Sequence, residues 1–402
     1  MKIWIDTGAT QRAQTLFGVP PIERLRRSAA KLVAGTPVVL SGPDATEQTW
    51  AGATIEADAT KLGARLRKAL SQGPLVALDG ANVIDPRLIA FLVRRDGSCA
   101  AARGEGDHWA VALRLAPELA DAIPEQAEDL RTVAETLMAA GLIAPFDEKE
   151  FPAYMDKLRR SLPYWIHAVT DTVTRQRLER QMFWDNYKGS TDLLTRYVYP
   201  PLVWPLVRLC VRLGLHPNTV TLLSIVLTIA AVPLFARGDF LAGFVCAYGM
   251  SVLDSVDGKL ARLTLTDSKI GNLLDHGTDI VHPPFWYFAF AWGLGGHNPG
   301  DPLYQAAIWM IVFYVADRVV LSIAKRRIGF ALHAASRLDG FVRSFIARRN
   351  ITMTIMAFGV LLGVGPAAFY VITAWQGLTF AWHAARTVWH GFLSRAQARP
   401  AA

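Results

Sequence analysis

Residues 254–279 read DSVDGKLARLTLTDSKIGNLLDHGTD, and four of the five aspartates in this stretch fall at helical spacing. Asp254 and Asp257 stand three residues apart, and Gly258 and Ala261 continue the same face at i+4 and i+7. Arg262 follows. Further on, Gly271, Asp275 and Asp279 recur every four residues and form one stripe of a second helix. Two neighbouring helices are therefore expected to offer two carboxylates each, with small residues on the same faces so that backbone or ligand can approach closely. Four facing carboxylates cannot all stay ionised without compensation. Hard oxygen donors with no Cys and no paired His select Mg2+, Mn2+ or Ca2+ over zinc, and such an ion completes its shell with phosphate oxygens. Solvated helix-end aspartates would leave the matched spacing on both helices unexplained. The stretch predicts a metal-bound phosphate or pyrophosphate site at a membrane boundary.

The surrounding chain supports that setting. Of 402 residues, 52% are hydrophobic and 19% charged, against about 25% charged in soluble domains. This excludes a disordered or fibrous chain. Lys and Arg number 42 against 34 Asp and Glu. Their placement in loops reads as membrane topology and not as a nucleic-acid surface. Cys99, Cys210 and Cys246 form no CxxC pair and imply neither a disulfide framework nor a zinc site. Residues Met1 to Thr10 have no basic segment followed by an apolar run, so no signal peptide is expected.

The composition changes near residue 190. Before it, strand-like runs at Lys2 to Ile5, Pro37 to Leu40 and Leu75 to Leu78 alternate with helical stretches at Pro21 to Leu32 and Ala59 to Leu70, which suggests an α/β layer. Helices are expected over Glu125 to Ala140 and Phe151 to Lys188. After it, Leu193 to Leu213 reads as an amphipathic helix at the membrane interface. Six apolar segments follow, near 219–236, 240–256, 271–293, 304–323, 351–365 and 367–385, each read as a transmembrane helix. Basic residues crowd 256–270, 324–350 and the tail, which puts both termini and the 256–270 loop in the cytoplasm. The expected fold class is multidomain: an N-terminal α/β cytoplasmic domain (1–120), a helical connector (121–190), and an all-α six-helix transmembrane bundle with a juxtamembrane amphipathic helix (191–402).

The pattern Asp254-x2-Asp257-Gly258-x2-Ala261-Arg262-x8-Gly271-x3-Asp275-x3-Asp279 resembles the signature of the CDP-alcohol phosphotransferase (CDP-alcohol phosphatidyltransferase) family, and His216 to Thr221 resembles that family's entry to its first membrane helix. The resemblance covers roughly 191–402. It implies a membrane enzyme of phospholipid biosynthesis in which an acceptor hydroxyl attacks the phosphorus of a CDP-linked donor and CMP leaves. By motif position it implies that Asp254, Asp257, Asp275 and Asp279 hold Mg2+ or Mn2+ and that Asp279 is the general base. Asn218, Thr221, Asp254, Gly258, Ala261, Arg262 and Gly271 would form the CDP pocket. The partners implied are a CDP-linked donor, a lipid or polyol acceptor, membrane lipids and a second copy of the chain, with the active site at the cytoplasmic face. The donor is either CDP-diacylglycerol or a water-soluble CDP-alcohol.

Four arginines are candidates for the acceptor: Arg318, Arg343, Arg348 and Arg349. Asp317 and Arg318 sit in the fourth apolar segment, either as a mutual ion pair or as part of a polar cavity. Lys259 and Lys269 read as solvated, His276 and His282 as packing or hydrogen-bonding residues, and Pro283-Pro284 as a kink. The first 120 residues resemble a sugar-nucleotidyltransferase domain, as in fusions that make a CDP-alcohol and then use it. Residues 6–12 lack the Gly-rich phosphate loop, and Ala81 stands where a second acid is needed. A non-catalytic domain is expected there. The alternatives are a bifunctional cytidylyltransferase/phosphotransferase of the inositol-phosphate type and a non-catalytic membrane scaffold.

Overall fold

The computed structural model describes all residues except 9–13, 34, 44, 46–49, 51, 105–108, 156, 157, 159, 188–190, 330 and 398–402; the side chains of 32, 269, 270, 272, 275, 276 and 392–397 also lie outside the description. The chain divides into two compact units. The first comprises Met1–Asp156, Arg160–Asn186 and Leu263–Thr266, the second Lys157–Arg159, Tyr187–Arg262 and Asp267–Ala402.

The first unit runs β1 (Lys2–Asp6), α1 (Pro21–Leu32), β2 (Val38–Ser41), β3 (Thr54–Glu56), α2 (Leu62–Ser71), β4 (Leu75–Asp79), β5 (Asn82–Ile84), α3 (Pro86–Arg94), β6 (Cys99–Arg103), β7 (Ala110–Leu115), α4 (Leu130–Ala139), β8 (Tyr154–Met155), β9 (Arg160–Ser161), β10 (Ile166–Ala168) and α5 (Thr172–Asp185). The main sheet has the order β3-β2-β1-β4-β7-β6. β3, β2, β1 and β4 are parallel, and β7 runs antiparallel to both β4 and β6. Alternate residues serve opposite faces: Ile3 and Ile5 pack with Leu25, Leu88 and Leu92, while Trp4 packs with Leu66, Leu70 and Val133. Both faces are covered, which is why these strands read as continuous apolar runs.

The segment expected to be helical over Phe151 to Lys188 instead carries β8, β9 and β10 ahead of its helix, α5. Pro152 and Pro163 interrupt it, Ile166–Ala168 pairs with β5, and the helix begins only where Asp171 caps it by accepting from the amides of Val173 and Thr174. The helix expected from Glu125 starts at Leu130, after Asp129 accepts from the Thr132 amide at 2.7 Å.

The parallel strands end in polar groups. Asp6 and Asp79 are direct neighbours in the β1–β4 register. Arg65 from α2 sits on Asp6 at 2.7 Å and donates to Ser41 Oγ at 3.1 Å, both inside the unit. Gly42, at φ +145°, leaves room there; a Cβ would meet Thr7 Oγ1 at 2.6 Å.

The second unit is helical: α6 (Tyr199–Arg212), α7 (Pro217–Arg237), α8 (Phe240–Thr264), α9 (Lys269–Leu294), α10 (Pro302–Ile328), α11 (Arg337–Val342), α12 (Arg349–Leu361) and α13 (Gly365–Gln397). Among the described residues, α7, α8 and α10 are long and apolar enough to cross a membrane, with mean hydropathies of 2.2, 1.3 and 1.8. Their core is aromatic, built on Phe235, Trp286, Phe290, Met310 and Phe369. Gly293 of α9 meets the α7 backbone so closely that a Cβ would lie 2.1 Å from the Phe235 carbonyl oxygen.

The Asp6–Asp79 pair makes the first unit pH-sensitive. Burial pushes the Asp79 carboxyl up from its ordinary 3.8 to about 6, the Ala81 amide opposes this, and the Asp6 charge adds to it. A folded state that holds this proton more tightly is favoured below about pH 4 and loses that increment as pH rises through about 6. Amide exchange of β1 and β4, corrected for intrinsic pH dependence, should quicken over that window in the wild type. Asp79→Asn should flatten this component.

Candidate active site

α8, α9, α10 and α12 bring the site together. Asp254 and Asp257 lie one turn apart on α8. Asp257 is 4% exposed. Its Oδ2 accepts from Thr221 Oγ1 of α7 at 2.5 Å, and its Oδ1 is buried with no hydrogen-bond partner among the described residues. Asp254 Oδ2 accepts from Arg349 Nη2 at 3.0 Å, while Arg349 Nη1 donates to Asp279 Oδ1 of α9. One guanidinium from α12 thus joins an acid of α8 to an acid of α9. Asp275 occupies α9 one turn before Asp279, but its side chain lies outside the described residues.

The small residues of the motif make close approaches. A Cβ on Gly271 would lie 2.7 Å from Asn218 Oδ1, so glycine lets the start of α7 close on α9. Ser268 caps α9 by accepting from the Gly271 amide at 2.9 Å. His216 Nδ1 accepts from the Asn218 amide at 3.2 Å and caps α7. Arg262 folds back over Gly258, where a Cβ would meet Nη1 at 3.4 Å.

A pocket of about 70 Å³ lies beside Asp279, lined by Pro283, Tyr287, Tyr314, Arg318, Ala347, Arg348, Arg349 and Asn350. Three of the four arginines singled out in the sequence therefore meet at one cavity. The fourth, Arg343, donates to His333 Nδ1 at 2.7 Å and is not in its lining. Arg349 Nε and Asn350 Oδ1 are buried at this cavity without a partner among the described residues. Asp317 pairs with His383 of α13 at 2.6 Å, while Arg318 lies over the Tyr314 ring at 5.0 Å. Lys259, read as solvated, is instead buried against the Tyr187 ring at 3.7 Å. His282 holds the Thr278 carbonyl at 2.6 Å and packs edge-on to Trp286, the structural role expected of it.

The proline pair shapes the floor of this cavity. Pro283 and Pro284 have no amide hydrogens, so the carbonyls of Asp279 and Ile280 lose their helical donors. Tyr314 of α10 replaces them, its hydroxyl lying 3.0 Å from the Ile280 oxygen and 3.4 Å from that of Asp279. The tyrosine thereby supports the turn that carries Asp279. Spacing alone could not have revealed this partnership, because it joins residues 34 and 35 positions apart.

Residues 214–389 match the family described as CDP-alcohol phosphatidyltransferase. Over these residues the chain is similar to that family. Cholinephosphotransferase 1 of Rattus norvegicus is 30% identical over 172 residues, covering 39% of this chain and 42% of that protein. Phosphatidylinositol phosphate synthase of Mycobacterium tuberculosis is 28% identical over 125 residues, covering 31% of this chain and 58% of that protein. The chain thus spans about two fifths of the cholinephosphotransferase and under two thirds of the synthase. A crystal structure of the Mycobacterium tuberculosis synthase with CDP-DAG bound superposes with TM-score 0.38 at 21% identity, covering 46% of this chain and 92% of that one. The matched stretch contains the whole acidic motif and all four arginines.

The described residues include no cluster of three or more His, Cys, Asp or Glu that could hold a metal ion. The donor set nevertheless fits a divalent cation. Asp257 presents a buried, unpartnered carboxylate oxygen, and Asp254 and Asp279 already converge on one cationic group.

Tyr314→Phe should strand the two freed carbonyls and destabilise the domain by about 1–3 kcal/mol. The unfolding midpoint in detergent reads this. An unchanged midpoint would mean that the freed carbonyls need no donor.

Proposed function

We propose that the chain is a membrane enzyme that moves a substituted phosphate from a CDP-linked donor to an acceptor hydroxyl and releases CMP, as a step of phospholipid biosynthesis. The observation that carries this reading is the sharing of Arg349 by Asp254 and Asp279, with the arginine-lined pocket directly beside it.

In this reading Asp254, Asp257, Asp275 and Asp279 hold Mg2+ or Mn2+. When bound, the ion neutralises the donor pyrophosphate and stabilises departing CMP. Asn218, Thr221, Gly258, Ala261, Arg262 and Gly271 form the CDP pocket, with Gly258 and Gly271 leaving space and Arg262 supplying charge. Asp279 accepts the proton of the acceptor hydroxyl as its oxygen bonds to the donor phosphorus and the bond to the CMP oxygen breaks. Arg318, Arg348 and Arg349 hold an anionic acceptor, and their convergence favours a polyol phosphate over an uncharged hydroxyl. The donor is CDP-diacylglycerol or a water-soluble CDP-alcohol.

The architecture follows the same reading. α7, α8, α9, α10, α12 and α13 are six spans, with both termini and the active site at the cytoplasmic face. α6 lies in the interface, its exposed Leu202 and Leu209 turned to lipid. Residues 1–120 are a non-catalytic nucleotidyltransferase-like domain, 121–190 a connector, and 191–402 the membrane enzyme. The seating of Arg65 on Asp6 and Ser41 at the ends of the parallel strands favours an idle first domain.

Purified full-length protein given both radiolabelled donor types, an acceptor and Mg2+ should release CMP with one of them. Chelation should stop the release, and Asp279→Asn should slow it about 10²–10⁴-fold. Undiminished release by Asp279→Asn would remove that residue from the role of base. No release with any donor would favour a scaffold.

A further inference from the structure

We propose that Asp192 is a positioning residue, a buried latch that fixes the first turn of α12 so that Arg348 and Arg349 face the pocket. Asp192 precedes α6 and is 1% exposed. Its carboxylate accepts from the Thr195 amide at 3.0 Å, from Thr195 Oγ1 at 2.9 Å, from Asn350 Nδ2 at 3.3 Å and from Arg348 Nη1 at 3.3 Å. Asn350 Nδ2 also reaches Thr195 Oγ1 at 3.1 Å.

Arg348, Arg349 and Asn350 are consecutive, and all three line the pocket. With the first and third tied to Asp192, the direction of the second is set, and Arg349 runs to Asp254 and Asp279. Capping the turn at Thr195 needs only the bonds to Thr195; it explains neither the arginine nor the asparagine. Arg348 starts α12 without a side-chain cap of its own, and an anion near that helix N-terminus is favoured by the backbone dipole. Burial works against ionisation of Asp192, but Arg348, both Thr195 donors and Asn350 outweigh it and hold the carboxyl below its usual range. The latch therefore keeps its charge at neutral pH.

The proposal deepens the acceptor reading and rests on it, and the test separates the two. Asp192→Asn preserves the cap on Thr195, because asparagine caps about as well as aspartate, but removes the charge that holds Arg348. Asp192→Ala removes both. Full-length protein in detergent is titrated with inorganic phosphate by calorimetry, and KM is measured separately for donor and acceptor. Asp192→Asn should weaken phosphate binding and raise the acceptor KM about tenfold, the loss of one charge-assisted contact, with the donor KM and the unfolding midpoint near wild type. Combining it with Arg348→Gln should add little to either single loss.

Asp192→Asn indistinguishable from wild type, with Asp192→Ala merely less stable, would reduce Asp192 to a helix cap and overturn the latch. Additive losses in the double variant would overturn it as well. If wild-type protein releases no CMP from either donor, the proposed reaction falls, and phosphate affinity alone decides the latch. Absence of both CMP release and phosphate binding in the wild type overturns both.

Discussion

One guanidinium balances two carboxylates that arrive from different helices. Arg349 is 17% exposed at its side chain, and the Asp254 side chain facing it is 22% exposed. Carboxylates brought together at such depth repel unless a cation lies between them. The cation comes from α12, a helix of only 13 residues. The packing of α8, α9 and α12 is therefore inseparable from the charge state of the site. In the proposed reading, Asp254 and Asp279 would share their oxygens between Arg349 and a divalent cation that neutralises phosphate charge.

The second constraint is backbone satisfaction. A proline pair in an apolar helix leaves two carbonyls without donors, and the low-dielectric surroundings make that costly. Tyr314 meets both from the neighbouring helix. Asp279 is the residue whose carbonyl is freed, so the break in α9 and the acid beside it belong to one local arrangement. Close contact at Gly293 holds the other end of α9 against α7.

The acids were legible because helical periodicity alone puts Asp254 beside Asp257 and Asp275 beside Asp279. Arg318, Arg348 and Arg349 could be singled out as cations in or beside apolar segments, but their meeting at one cavity was not legible. Other features depended on contacts between distant residues. Asp317 chose His383, 66 positions away, over its neighbour Arg318. Lys259 found an aromatic face at Tyr187 and left solvent. The role of Asp192 was not legible, because its partners lie 156 and 158 residues on. In the first unit, pattern located three of the four parallel strands and missed the short β3 at the edge. Phe151 to Ala168 misled because charge density resembled a helix while Pro152, Pro163 and pairing with β5 dictated extension.

α13 spans 33 residues, a rod of about 50 Å at 1.5 Å per residue, whereas a bilayer's oily interior is about 30 Å thick. In the proposed six-span reading, a rod of that length overshoots the lipid by several turns. Asp339 is gripped at this overhanging end by Arg386 at 2.6 Å and His390 at 3.0 Å, which moors the α10–α12 connection there. In that reading, thickening or thinning of the surrounding leaflet slides along the surplus length without loosening that mooring.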